Sequence, residues 1–188
     1  GQEDTVWVVS EPWPEWALRA RERSDMLVSE RDASADLELS MPAAELLASY
    51  LVPLAVLSEN GMFPRGTQPG QLPSVIAISD CDPATRALNA ATSGEDTMRA
   101  LVLLARELTL NWLGVAVPRK ANQDADFLSH PENLWQLSAR VGNLTVRRAS
   151  VPAARWESIR ATLTQIAGAR ARRALGSHEG VPPPPSFV

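Results

Sequence analysis

Residues 5–11, TVWVVSE, form a compact β-branched and aromatic run, and that composition predicts a strand. In 15–22, EWALRARE, Trp16, Leu18 and Ala20 alternate with Arg19 and Arg21, the period-2 pattern of a half-exposed second strand. A third follows at 25–31, DMLVSER. Pro12 and Pro14 fill the first gap and Ser24 and Asp25 the second, so the beginning reads as an antiparallel meander.

The period then changes. In 40–61, apolar residues recur at Leu46, Leu47, Tyr50, Leu51, Leu54 and Leu57. Ser40 stands at the N-cap, Pro42 in the first turn and Asn60-Gly61 at the end, which predicts a long helix kinked at Pro53. A Pro- and Gly-rich loop (62–73) leads to 74–80, SVIAISD, whose near-continuous apolar run marks a buried strand. Helices are expected at 82–91 and 93–114, a short strand at 115–118, and one or two helical segments in 122–142. An arginine-rich amphipathic helix at 151–176 precedes a tail containing four consecutive prolines, extended where they run.

The order β-β-β-α-β-α-α-β-α predicts an α/β fold: a mixed five-stranded sheet, three antiparallel strands then alternating α and β, with helices on its faces. The expected organisation is one domain over 1–142, a C-terminal helical extension over 143–176 and a proline-rich tail over 177–188.

Composition narrows the chemistry. With 188 residues and 45% apolar content the chain can bury one sizeable core. Its 22 acids exceed its 18 bases, which argues against gripping nucleic acid through bulk charge alone. One cysteine, Cys81, excludes an internal disulfide and Cys-based zinc sites; two histidines, His130 and His178, make a multi-histidine centre implausible. No apolar run is expected to reach the roughly 18 residues of a bilayer span. With no charged-then-apolar leader and a single cysteine, the expected setting is intracellular.

Four acids fall at element ends: Glu11 after the first strand, Glu45 in the first turns of the long helix, Asp80 ending the buried strand, and Asp126 at the start of a later helix. Ligands of α/β sheets gather at strand ends. Carboxylates collected there repel one another unless a divalent cation neutralises them, as in two-metal phosphodiesterases. Taken singly, each acid has a plainer reading as a solvated first-turn residue or helix cap.

Three stretches together resemble the ribonuclease H domain of retroelement reverse transcriptases. PAAELLA (42–48) is similar to the family's glutamate-bearing helix. VIAISDCDPATRALN (75–89) is similar to its strand ending in Thr-Asp-Asn and the helix behind it. VPRKANQDADFLSHP (117–131) resembles its Val-Pro and Asn-x-x-Ala-Asp-x-Leu-Ser ending, the most specific of the three. The resemblance implies a ribonuclease H-like fold and two Mg²⁺ (or Mn²⁺) ions. Glu45, Asp80 and Asp126 would be catalytic metal ligands, with Asp124 beside them and Asn122 as a helix cap. The implied reaction is hydrolysis of the RNA strand of RNA/DNA hybrids.

The family's first-strand Asp-Ala-Ser has no literal counterpart in the first strand. Glu11 stands nearest and would be the fourth metal ligand, one methylene longer; otherwise that ligand is lost. A literal Asp-Ala-Ser at 32–34 lies too close to Glu45 for two intervening strands, so Asp32 is a decoy. Cys81 replaces the family's asparagine, and His130 is a poor match for an active-site loop histidine. Two readings follow. One is a Mg²⁺-dependent nuclease acting on RNA/DNA hybrids. The other is an inactive copy of the fold, a structural subunit that docks on protein partners through its C-terminal helix and proline-rich tail. Trp13 and Trp16 are core or interface residues, or stacking platforms for nucleic acid; the arginines of 168–176 form a solvated helix end or phosphate contacts.

Overall fold

The computed structural model describes residues 5–25, 37–61, 73–108, 110–128, 130–136 and 144–176. The ordered elements are β1 (Thr5–Val8), α1 (Glu15–Asp25), α2 (Met41–Glu59), β2 (Ser74–Ser79), α3 (Asp82–Ala90), α4 (Asp96–Glu107), β3 (Asn111–Ala116), α5 (Gln123–Leu128), β4 (Thr145–Arg148) and α6 (Ala153–Gly176). Short 3₁₀ helices cover Arg119–Ala121 and Pro131–Gln136. The fold is mixed α/β, with six α-helices and two small parallel sheets among the described residues.

The sheets differ from the expected five-stranded arrangement. β1 pairs in parallel with β4, Thr5 opposite Thr145 through Val8 opposite Arg148. β2 pairs in parallel with β3, Ser74 opposite Asn111 through Ser79 opposite Ala116. No antiparallel pair occurs among the described residues. The expected second strand, 15–22, lies within α1. Its alternation also fits a helix, since Trp16, Ala17 and Ala20 share one stripe, and its Ala, Leu, Arg and Glu content favours helix. Pro14 accepts from the N–H groups of Ala17 and Leu18 and opens the helix. Glu15 pairs with Arg19, and Arg21 with Asp25 at 2.6 Å, both at i,i+4. Apart from Asp25, which ends α1, the expected third strand lies outside the described residues.

α2 forms where predicted. Ser40 accepts from Ala43 N–H at 3.2 Å and donates to the Glu95 carboxylate at 2.8 Å, fastening the starts of α2 and α4 together. The helix continues through Pro53. By length and mean hydropathy (1.5 over 18 residues) α2 could cross a bilayer. It instead buries Ala43, Leu46, Leu47, Tyr50, Leu51, Leu54 and Ala55 in the core, as the central helix of a globular domain does.

Asn111–Gly114 is strand, not the end of the helix expected at 93–114. The helical apolar period runs on through Leu108 and Leu110, but Gly114 is needed for closeness rather than for a cap. A Cβ there would lie 2.6 Å from the Thr85 carbonyl oxygen of α3. Asn89 of α3 closes the contact: its Nδ2 donates to Gly114 O at 2.8 Å, and its Oδ1 accepts from Gly114 N–H at 2.7 Å. One amide side chain thus occupies both polar groups of Gly114 on the β3 edge facing away from β2.

β4 was not predicted. Its four residues end in two exposed arginines, and its partner β1 lies at the other end of the chain. Arg147 stacks over the Trp7 ring at 5.8 Å. Behind it, Ala149, Val151, Ile159 and Leu163 join the same buried cluster as α2, α3 and α4. Full burial of each large aliphatic side chain there stabilises the fold by about 1.5–3 kcal/mol.

Candidate functional site

The parallel β2–β3 pair and the first turns of α2 converge on one site. Ser79 is buried at the end of β2, and its hydroxyl accepts from the Cys81 N–H at 3.0 Å. That bond holds the turn in which Asp80 is exposed. Glu45 faces the same turn from α2. Burial and then the Asp80 carboxylate push its pKa up from the ordinary value, while a hydrogen bond with Ser79 pulls it back. Across the site, Asn122 Nδ2 donates to Asp80 Oδ1 at 3.2 Å. The amide expected to cap the last helix therefore reaches the strand-end acid and ties the start of α5 to it.

The four sequence-derived ligands are not all gathered here. Glu45 and Asp80 are brought together. Asp126 lies on α5, but its side chain is outside the described residues; Asp124, on the same helix, is exposed. Glu11 is used elsewhere: Oε1 accepts from Val151 N–H at 2.7 Å, and Oε2 from Trp156 Nε1 at 3.4 Å. Both donors belong to the entry of α6, where a carboxylate suits the partial positive charge of a helix N-terminus. Asp32 and His178 lie outside the described residues. His130 is exposed and faces Glu132 at 3.5 Å.

Glu45, Asp80 and the Asn122 amide are the residues that could hold one hydrated Mg²⁺, an ion commonly held by one or two carboxylates with water completing the octahedron. They fall short of a two-ion centre. Among the described residues no group of three or more His, Cys, Asp or Glu could hold a metal ion. Cys81 adds no ready thiolate: burial pushes its pKa up, and the charges of Glu45, Asp80 and Asp82 reinforce that against a backbone hydrogen bond from Ala84.

Trp13 and Trp16 both rest against Trp156 of α6, with ring centroids 6.5 and 6.1 Å apart. They are interface residues between the N-terminal segment and α6, and Trp13 also lines a groove beside Glu45 and Asp80. The sequence reading missed Ser79, whose role depends on a turn, and Arg119, which lines the groove from the 3₁₀ turn between β3 and α5. Comparison with protein-family models, curated proteins and solved structures finds no match.

Proposed function

We propose that this chain is a ribonuclease H-like domain of the retroelement reverse transcriptase type that keeps Glu45 and Asp80 of an acidic centre, has Glu11 engaged elsewhere, and works as a non-catalytic module. The observation that carries this is the division of the acids. Glu45 and Asp80 face each other, whereas both oxygens of Glu11 are committed to the entry of α6. Two-metal hydrolysis needs carboxylates on both sides of the scissile phosphate, and a displacement of about 1 Å costs on the order of 100-fold in rate. With Glu11 bonded to Val151 and Trp156, that side has no carboxylate among the described residues. Protein partners in a larger assembly, reached through α6 and the proline-rich tail, are then the natural setting.

A second reading has its own support. Asn122 tethers α5, the helix carrying Asp126, to Asp80, as a working three-acid site would require. There, Glu45, Asp80 and Asp126 would hold Mg²⁺, which would supply an activated water and charge neutralisation at the phosphate of an RNA/DNA hybrid. Incubating a hybrid with the chain and with Asp80→Asn, in Mg²⁺ and in Mn²⁺, separates the two. Equal background cleavage supports the module; metal-dependent cleavage abolished by Asp80→Asn supports the nuclease.

A further inference from the structure

A cavity of about 130 Å³ lies where the segment after β1, the middle of α2 and the entry of α6 meet. Trp13 and Trp156 supply its aromatic walls and Leu51, Val52 and Val151 its aliphatic ones. Glu11 is the only charged residue lining it among the described residues. Leu51 and Val151 are buried, whereas Val52 is 41% exposed and marks the mouth. The planes of Trp13 and Trp156 are tilted by 51° with centroids 6.5 Å apart, so the two indoles form a corner rather than a stack. Trp16 braces Trp156 edge to face, at 6.1 Å and 70°.

Size, walls and charge together select an occupant. The volume is well below the roughly 300–1,000 Å³ of a complete small-molecule site, so the cavity admits a head group. A cation is attracted to an aromatic face within about 6 Å of the ring centroid, and one cation in this corner lies within that reach of both rings. The N-terminus of α6 carries roughly half a positive charge, which the full charge of the Glu11 carboxylate outweighs, so the local field favours a cation.

Hydrogen bonding then narrows the kind of cation. Glu11 Oε1 already accepts from Val151 N–H and Oε2 from Trp156 Nε1, and the aliphatic walls accept nothing. An ordinary ammonium or guanidinium would bring N–H donors into a place with few acceptors, at the cost of their desolvation. Methylation exchanges those donors for apolar surface and keeps the charge.

We propose that this cavity binds a trimethylammonium group, its methyls against Val52, Leu51 and the two indoles and its charge facing Glu11. The site does not involve Glu45 or Asp80 and stands whether or not they hold a cation. A trimethylated lysine on a protein partner and a free quaternary amine such as choline carry the same head group.

Tryptophan fluorescence and isothermal titration calorimetry of the full chain test the proposal. The ligands are choline, its uncharged isostere with carbon in place of nitrogen, and a short peptide carrying either lysine or trimethyllysine. Choline is expected to bind about tenfold or more tightly than the isostere, since only the cation is drawn to the rings. The better of choline and the trimethyllysine peptide identifies the source of the head group, and the peptide should lose about tenfold or more when its lysine is unmethylated. Val52→Lys sets a positive charge at the exposed mouth and leaves folding intact; Glu11→Gln removes the negative charge and keeps an acceptor for Val151. Each is expected to weaken choline binding by about tenfold and to change isostere binding far less. Equal binding of choline and the isostere overturns the proposal, as does choline binding that ignores both substitutions. Absence of binding by both choline and the trimethyllysine peptide at millimolar concentration overturns it as well.

Discussion

Replacing Glu11 separates a structural role from a catalytic one. Its carboxylate accepts the Val151 N–H at 2.7 Å, and Val151 is buried at 6% exposure, so Glu11→Ala leaves that donor without its partner. A hydrogen bond to a charged group contributes about 1.5–3 kcal/mol, and the favourable charge at the α6 N-terminus about 0.3–1 kcal/mol more. The 3.4 Å contact with Trp156 adds little. The expected loss for Glu11→Ala is about 2–3 kcal/mol, or roughly 5–10 °C in Tm for a chain of this size. Glu11→Gln keeps an acceptor for Val151 but not the charge, and should lose about half as much. Urea and thermal unfolding followed by circular dichroism read both, with Mn²⁺ binding measured alongside. Stability unchanged in Glu11→Ala, together with weakened Mn²⁺ binding, would refute the structural role and restore Glu11 as a metal ligand.

Other outcomes follow from the same contacts. Gly114→Ala drives a methyl group against α3 backbone and should cost about 1–3 kcal/mol or more by urea unfolding; Asn89→Ala, which leaves both Gly114 groups unpaired, should cost about 1–3 kcal/mol. Glu45 titrates above its ordinary 4.5 in the folded chain, so its contribution to stability is complete below that pH and is lost as pH rises through the raised value. Glu45→Gln should therefore flatten the pH profile and stabilise the chain at neutral pH in the absence of divalent cation, and Asp80→Asn should do so in part. Tyr50 is the only tyrosine, and burial pushes its pKa up to about 12. Its phenolate absorbance should titrate near that value while the chain is folded, and stability should fall as pH rises from about 10 to about 12, a slope absent in Tyr50→Phe.

The elements legible in the sequence were those whose local signals agreed with their packing. α2 had its cap, its period and its terminal Asn-Gly; Asp80 and the Asn122 segment stood at a strand end and a helix start. β2 forms at its apolar run but is not the buried strand expected: it has only β3 beside it among the described residues, and Ile76 and Ile78 are 61% and 58% exposed. The failures came where partners lay far away in the chain. Residues 15–22 satisfy both periods over so short a span, and burial of Ala17 and Ala20 against the core decides for helix. β4 carries four residues of weak pattern and forms because β1 offers an edge. Asn111–Gly114 continues a helical period that the approach of Thr85 to Gly114 overrides. Glu11 looked like a strand-end ligand because nothing local reveals that Val151 and Trp156 lie within its reach.

Mn²⁺ binding counted by electron paramagnetic resonance, on the native chain and on Glu45→Gln, Asp80→Asn and Glu11→Gln, tests the division of the acids most directly. The account predicts one bound ion, lost in Glu45→Gln and Asp80→Asn and retained in Glu11→Gln. Two bound ions, one of them lost in Glu11→Gln, would contradict it.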